Sequence, residues 1–330
     1  MQVKIEQAFK VFNPPLFDRT EIWQGTESGT LAVKLLFQAF YKSLIDLGYS
    51  AGNKSGDVAI NWGGKRSNQT SETLYFEHAW GPRHAYQFSS TGVNYNHRCS
   101  NSRKSLTQMD VREAKLYRDR IVAELSRFRT KNFIEPENDF VLVPLQTPRN
   151  NYFTDVDSRF SKFALDKSDS AYWGISQEII LAVEELDLGL PVIYVQDPRD
   201  LRDYASELII KSNSKFITSK HGRSIHDYLS SDKCKFVVGI NTNALNEAIF
   251  WGRDVISFGE LIDNKNNRII PSSVDGVMLS DNEDLYWEYM VRLYRNTWYL
   301  SDFVNPIVVK EIITSMGKLD RVDTMEKLYV

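Results

Sequence analysis

KFVVGINTNALNEAIFWGRDVISFGE, which spans Lys235 to Glu260, joins a β-rich run, a polar turn and apolar residues at helical spacing. The β-rich run predicts a strand over Lys235–Ile240, and the spacing from Ala244 to Trp251 predicts a helix. Gly252 is a residue type that commonly ends a helix, and a second β-rich run follows it. Strand, helix and strand in this order predict an α/β fold with a parallel sheet.

The turn Asn241-Thr242-Asn243 lies where the predicted helix begins. Asn and Thr side chains cap the N–H groups of a first helical turn, and the same N–H groups, with the positive helix end, bind phosphate. Glu247 follows one turn later, where it would accept hydrogen bonds from a ribose whose phosphate sits at the cap. An ordinary βαβ unit with a well-capped helix has the same pattern, so the pattern alone names no substrate.

Three segments of the chain are similar, in the same order, to segments of one enzyme family. Phe76–Arg83 (FEHAWGPR) resembles an acid-plus-aromatic loop of its first domain, and Phe140–Pro148 (FVLVPLQTP) resembles the segment that opens its second domain. The turn after Ile240, the pair Glu247-Ala248 and the run Gly252–Ile256 resemble its nucleotide-binding turn. The family is the GT-B glycosyltransferases, of the capsule-polysaccharide synthesis type that includes the retaining Kdo transferases.

The resemblance implies an α/β fold of two facing Rossmann-like domains (GT-B) with a cleft between them. We expect an N-terminal acceptor-side domain over residues 1–135, with a C-terminal helix of about 301–330 packing back on it. We expect a nucleotide-sugar-binding domain over residues 136–300. The boundary is placed at Glu135-Pro136-Glu137-Asn138 because this segment is short, polar and proline-bearing.

Length and composition limit the class of protein. A chain of 330 residues suits two domains, and 42% hydrophobic with 25% charged residues is typical of globular proteins. Because no apolar run approaches a signal-peptide core or the ~20 residues of a membrane span, we expect a cytoplasmic protein without a membrane span. The two cysteines lack metal-ligand spacing and are expected to be reduced. A net charge of −3 argues against overall attraction to nucleic acid, although a local basic face would still supply one.

Other segments predict further strands and helices. In the first half these are a strand at Gln2–Phe9, a helix at Leu31–Leu47, short strands at Asp57–Trp62 and Thr73–Phe76, and a charged helix at Asp110–Lys131. Glu77–Arg103 is predicted to be a loop rich in reactive side chains, which either contributes to a site or is a solvated excursion. In the second half, predicted strands alternate with predicted helices. The strands are Asp139–Leu145, Pro191–Val195 and Lys215–Thr218, and the helices are Ser176–Leu186, Leu201–Ile210 and Ser224–Ser230.

Candidate catalytic residues are carboxylates. Glycosyl transfer uses a base for the acceptor hydroxyl and, when configuration is retained by double displacement, a carboxylate nucleophile. Glu77 follows a predicted strand, where a general base would be well placed. The resemblance to the Kdo transferases implies a nucleophile-bearing segment after Phe140–Pro148, which makes Asp155 and Asp157 candidates; either is alternatively a loop cap. Asp197 is a further candidate, in a segment where related enzymes commonly show His-Pro.

Candidate binding residues fall on the donor side and the acceptor side. Lys220, His221 and Arg223 form a basic cluster ahead of the nucleotide-binding helix, which would complement a donor phosphate or is a solvent-facing turn. The full donor-side set is Gln146, Lys220, His221, Arg223, Asn241, Thr242, Asn243 and Glu247. The acceptor-side set is Lys65, His78, Arg83 and Arg98. No Asp-x-Asp motif ends a predicted strand, so we expect no metal and no other cofactor beyond the nucleotide-sugar.

The sequence therefore predicts a glycosyltransferase that moves a sugar from a CMP-, UDP- or GDP-sugar to a hydroxyl of a glycan or glycolipid. One alternative acceptor is viral DNA carrying hydroxymethylated bases, which loop cations at positions 65, 66, 98, 103 and 104 would contact. A second alternative is a non-catalytic sugar-nucleotide-binding protein, because a shared fold does not by itself imply activity. The stereochemistry of transfer and the oligomeric state are left open.

Overall fold

A computed structural model describes most of the chain. The described residues are 2–5, 27–48, 50–52, 58–62, 72–79, 85–90, 106–148, 160, 162–163, 168–198, 200–219, 222, 224–240, 242–258, 283–315 and 319–329. The chain divides into two compact units: unit 1 is Met1–Thr107 with Val291–Val330, and unit 2 is Gln108–Met290. The domain boundary at residues 135/136 and the facing arrangement of two domains stay predictions.

The described residues form ten strands and nine α-helices. Before residue 130 these are β1 (Gln2–Ile5), α1 (Glu27–Asp46), β2 (Ser50–Gly52), β3 (Val58–Trp62), β4 (Glu72–His78), β5 (Tyr86–Ser89) and α2 (Gln108–Leu125). Next come β6 (Phe140–Pro144), α3 (Asp169–Glu185), β7 (Val192–Val195), β8 (Lys215–Ile217), α4 (Ile225–Leu229), β9 (Cys234–Gly239), α5 (Asn243–Phe250) and β10 (Asp254–Ser257). The last four helices are α6 (Glu283–Arg295), α7 (Leu300–Phe303), α8 (Pro306–Thr314) and α9 (Arg321–Tyr329). None of these helices is long and apolar enough to cross a membrane.

Unit 1 contains a sheet in the order β2-β1-β3-β4-β5, in which only the β4–β5 pair is antiparallel. Its described core is aromatic: the ring centroids of Phe76 and Phe88 lie 5.2 Å apart, and those of Phe88 and Trp298 lie 4.6 Å apart. Trp298 also extends the sheet, because Tyr86 and Trp298 exchange two backbone hydrogen bonds of 2.8 Å. Residues near the end of the chain therefore complete the core around β5.

Unit 2 contains a fully parallel sheet in the order β10-β9-β6-β7-β8. The chain starts at β6, proceeds outward through β7 and β8, and then returns to the other side of β6 at β9. This is the doubly wound order, and its direction reverses between β6 and β9. Every residue of β6 and β7 is buried, as in parallel strands covered on both faces. The predicted α/β fold with a parallel sheet is confirmed.

Gly252 ends α5 in the predicted way, with a φ of +73° that favours glycine.

Two predictions of secondary structure are wrong. Tyr86–Ser89, which was expected to be part of a loop, is the buried strand β5. Leu201–Ile210, which was expected to be a helix, contains only a 3₁₀ turn at Ala205–Glu207. Side chains hold this segment in a non-helical path: Gln196 Nε2 donates to Arg202 O (2.9 Å), in a bond that competes with a helical one.

Candidate functional site

The carboxyl ends of β6 and β9 lie side by side at the point where the strand order of unit 2 reverses. In open α/β sheets, ligands bind in the crevice outside the strand ends at such a reversal. Gln146 follows β6 and Ile240 follows β9, and the Gln146 Oε1 atom accepts a hydrogen bond from Ile240 N at 3.2 Å. The Ile240 O atom accepts from Ser257 Oγ at 2.5 Å. The backbone that leads into α5 is thus fixed from both sides.

The turn into α5 is capped by Thr242, whose Oγ1 atom accepts from Ala244 N at 3.3 Å. Gly239 precedes the turn, and a Cβ atom there would lie 3.3 Å from Thr242 Cγ2, so the site leaves little room for a larger residue. Asn243 is the first residue of the helix, and its Nδ2 atom donates to Glu247 Oε1 at 3.0 Å. Thr242 therefore caps the helix as expected. Asn243 instead donates to Glu247, the acid one helical turn later.

Glu247 is 6% exposed and has partners from two helices. Its Oε1 atom accepts from Asn243, and its Oε2 atom lies 3.8 Å from Nε2 of the buried His226 on α4. A carboxylate oxygen accepts more than one hydrogen bond, so a ligand hydroxyl is a chemically suitable partner for this acid. His226 was not among the residues predicted from sequence. Ser224 and Asp227 form a capping box at the start of α4, which marks where the helix begins but not which of its side chains enters the site.

Two further side chains extend the site into the core of unit 2. Tyr289 OH donates to Asn246 Oδ1 at 2.5 Å, and Asn246 Nδ2 lies 3.4 Å from Asn243 Oδ1. Both Tyr289 and Asn246 are buried. The result is a chain of polar contacts from α6 through the first turn of α5 to the Glu247 carboxylate. Such a chain holds the acid in one orientation before any ligand arrives.

A second polar network occupies the carboxyl ends of β7 and β8. Gln196 Oε1 accepts from Ser219 N at 3.0 Å, and Asp200 Oδ2 accepts from Tyr204 OH at 2.7 Å. Burial, with a smaller contribution from Asp200, raises the pKa of Tyr204 above its ordinary value. Asp197 lies beside this network and is half-buried. These bonds fix the path of the chain along the edge of the sheet, and they do not by themselves indicate a ligand.

Glu77 and His78 lie at the end of β4 in unit 1. Glu77 is half-buried and is paired in register with the fully buried Gln87 of β5, and His78 is paired with Tyr86. The strand thus continues two residues beyond the predicted end at Phe76. The role of Glu77 as a general base stays a prediction.

The remaining predicted site residues lie outside the described residues: Lys65, Arg83, Arg98, Asp155, Asp157, Lys220, His221, Arg223 and Asn241. Their proposed roles stay predictions. Within the described part of the chain, no group of three or more His, Cys, Asp or Glu residues could hold a metal ion. Independence from metal likewise stays a prediction.

No protein-family model and no curated protein matches the chain. Among solved structures, the chain is similar to Thermosulfurimonas dismutans KpsC, beta Kdo 2,7 transferase, with 13% sequence identity and a TM-score of 0.49 over 96% of this chain and 99% of that chain. It is also similar to Thermosulfurimonas dismutans KpsC, beta Kdo 2,4 transferase, with 13% identity and a TM-score of 0.49 over 88% of this chain and 89% of that chain. Likeness at this level carries no conclusion about activity.

Proposed function

We propose that the chain is a glycosyltransferase whose nucleotide-sugar donor binds at the strand-order reversal of unit 2. The observation that carries the proposal is a buried acid, Glu247, one turn below a helix start that lies in the crevice between β6 and β9. The sequence resemblance to GT-B glycosyltransferases supports it, because its nucleotide-binding turn is matched by the residues that form this site.

The expected binding mode follows from the chemistry of the site. The first N–H groups of α5 and the positive end of the helix attract a donor phosphate. A phosphate oxygen would compete favourably for Ala244 N, whose present bond to Thr242 Oγ1 is 3.3 Å long. Glu247 would then accept from a ribose hydroxyl. The Gln146 contact with Ile240 would hold the turn still while the ligand binds.

The transfer step completes the proposal. The bond between the anomeric carbon and the donor phosphate breaks, and the acceptor hydroxyl oxygen bonds to that carbon. Its proton passes to a base, for which we propose Glu77, and Asp155 or Asp157 would serve as nucleophile if configuration is retained. The proposed acceptor is a glycan or glycolipid. The cations on which the DNA alternative rests lie outside the described residues, and we do not propose it.

A nucleotide-binding experiment tests the site. Titration calorimetry with CMP, UDP, GDP and their sugars identifies the ligand, and Glu247→Ala is then expected to weaken its binding by about 1–3 kcal/mol. Glu178→Ala is the matched control, because Glu178 is a carboxylate on α3 of the same unit that pairs with Lys162 at the surface. Unchanged affinity in a folded Glu247→Ala protein would contradict the site.

Activity is measured separately from binding. Nucleotide binding without donor hydrolysis or transfer to any hydroxyl acceptor would support a non-catalytic sugar-nucleotide-binding protein instead of the enzyme. Donor hydrolysis that is lost together with affinity in the Glu247 variant would support the enzyme.

A further inference from the structure

The outer face of α2 carries an unusual mixture of exposed residues. Its inner face is buried through Ala114, Tyr117, Ile121 and Leu125, and Tyr117 packs edge-on against Phe250 of α5 with ring centroids 5.8 Å apart. Positions separated by three or four residues share one face of a helix. The exposed residues at this spacing are alternately apolar and basic: Met109, Arg112, Leu116, Arg120 and Ala123.

The segment Arg127–Ile134 follows α2 and continues this mixture. It contains three cations and no carboxylate, and all but Phe133 are exposed. The segment is held in place on α4, because the fully buried Asp227 accepts from both Thr130 N and Thr130 Oγ1 at 2.6 Å. Phe133 packs edge-on against Tyr228, with ring centroids 5.1 Å apart. The exposed side chains therefore project from a fixed backbone.

Four of the twelve exposed large hydrophobic side chains of the described residues belong to α2 and this segment. Their exposed fractions are 67% for Met109, 56% for Leu116, 64% for Phe128 and 82% for Ile134. We call these four side chains, with Arg112, Arg127, Arg129 and Lys131, the basic-apolar surface. Contiguous exposed apolar side chains mark interaction sites, and the segment Arg127–Ile134 places two exposed apolar side chains and three cations within eight consecutive residues.

The charges of the basic-apolar surface are largely uncompensated. Within the described part of the chain, its four cations make no ion pairs. Two nearby carboxylates are engaged by other arginines, since Asp119 lies 2.7 Å from Arg118 and Glu124 lies 3.7 Å from Arg120; Asp110, Glu113, Glu135 and Glu137 also belong to this stretch. The positive part of the surface is therefore the segment Arg127–Ile134, which has three cations and no carboxylate, although the whole chain has a net charge of −3.

We propose that the basic-apolar surface docks on an anionic lipid bilayer. Cations at a bilayer surface are attracted to acidic headgroups, while neighbouring exposed apolar side chains insert at the boundary with the acyl chains. Nucleic acids would use the cations as well, but they gain from aromatic stacking and offer nothing comparable to aliphatic side chains such as Ile134. The aliphatic share of the surface thus favours a bilayer. The inference does not depend on nucleotide binding.

Vesicle co-sedimentation of the full chain tests the proposal. Binding is expected to vesicles with about 30% anionic lipid and not to neutral vesicles, and to weaken as salt shortens the screening length from about 10 Å at 0.1 M. Since each cation near such a surface contributes roughly a fivefold increase in affinity, Arg112→Gln/Arg127→Gln/Arg129→Gln is expected to lower affinity about a hundredfold.

A second variant tests the apolar part. Met109→Ser/Leu116→Ser/Ile134→Ser is expected to abolish the binding that persists at high salt. It leaves Phe128 intact because the Phe128 ring lies 5.7 Å from the His226 ring near Glu247. Val304→Ser/Ile307→Ser is the matched control, since these two side chains of unit 1 are 60% and 57% exposed. The control is expected to bind vesicles like the unaltered protein.

Three results would overturn the proposal. They are equal binding to neutral and anionic vesicles, undiminished vesicle binding by the triple arginine variant, and displacement of the protein from vesicles by duplex DNA at equal phosphate concentration. The last result would assign the surface to nucleic acid.

Discussion

The two units bury charged side chains in different places. In unit 1, Arg321 pairs with the buried Asp302 at 2.7 Å and Arg295 pairs with the buried Asp320 at 2.8 Å, all within the C-terminal segment. In unit 2, the buried Glu247 lies beside the ends of β6 and β9. The pairs in unit 1 join helices, whereas Glu247 adjoins the crevice of unit 2; the other buried acids of unit 2, Asp200 and Asp227, bond to Tyr204 and Thr130. Burial of a charge does not by itself indicate a binding site, and its position relative to the sheet is the informative feature.

The largest expected effect concerns the aromatic core of unit 1. Trp298→Ala is expected to lower the free energy of unfolding by about 3–5 kcal/mol, because it removes a side chain that is 1% exposed and packed on Phe88. Denaturant unfolding measures this loss. Val304→Ala, at an exposed site of the same unit, is expected to change stability by less than about 0.5 kcal/mol. Nucleotide affinity of the folded Trp298 variant should be unchanged, and a parallel loss of affinity would contradict the contrast between the units.

A smaller effect is expected at alkaline pH. Burial raises the pKa of the Cys234 thiol in unit 2 from 9.0 to about 12. Between these values the unfolded chain has released the proton while the folded chain retains it, so stability falls as pH rises from about 9 toward 12. The loss from this thiol reaches about 2 kcal/mol by about pH 10.5. In unit 1, burial raises the pKa of Tyr86 from 10.0 to about 12. The stability that Tyr86 contributes therefore starts to fall about one pH unit above the value at which the Cys234 contribution starts to fall.

Unfolding curves of the unaltered protein and of Cys234→Ala across this pH range isolate the contribution of the thiol to the pH dependence of stability. The alanine variant is expected to lose stability less steeply with pH, and any constant cost of the lost sulfur atom cancels in the slope. Parallel pH dependences would show that this thiol does not contribute.

The smallest effect distinguishes two tyrosines of α6 that both contact α5. Tyr289→Phe removes the hydroxyl that donates to Asn246 and is expected to cost about 1 kcal/mol of stability and to weaken nucleotide binding severalfold. Tyr286→Phe is the matched control, because its hydroxyl donates to Ile249 O near the other end of α5 at 3.2 Å. Equal nucleotide affinities in the two variants would mean that the Tyr289 contact does not orient the site.

Local patterns predicted the part of the fold whose signals lie close together in sequence. The strand, cap and helix around Thr242 could be predicted because each depends on residues a few positions apart. Strand β5 was missed although its partner β4 lies close in sequence, because its other partner, Trp298, is distant in sequence and completes the core around it. The failed helix at Leu201–Ile210 has a related cause: Gln177 bonds to both Ile209 N and Ile209 O, and Gln196 donates to Arg202 O, in contacts that helix propensity does not include.

The same limit applies to the site. Glu247 could be selected because it follows a recognisable turn, and the resemblance marked the same position. His226 and Tyr289 could not, because each reaches the site from another helix. Their residue types are also common in cores, so nothing in the local sequence distinguishes them from ordinary packing residues.

The bridge between Tyr86 and Trp298 has a consequence for biosynthesis. About two hundred residues separate the two partners, so at roughly 5–20 residues per second a ribosome delivers Trp298 some 10–40 s after β5 has emerged. Unit 2, which is continuous in sequence, is synthesised during this interval, while β5 still lacks its bridge to Trp298 and the aromatic core of unit 1 is incomplete. An unpaired strand edge is prone to pair with another chain. Nascent chains, and products truncated before Trp298, are therefore expected to depend on chaperones more than the finished protein does.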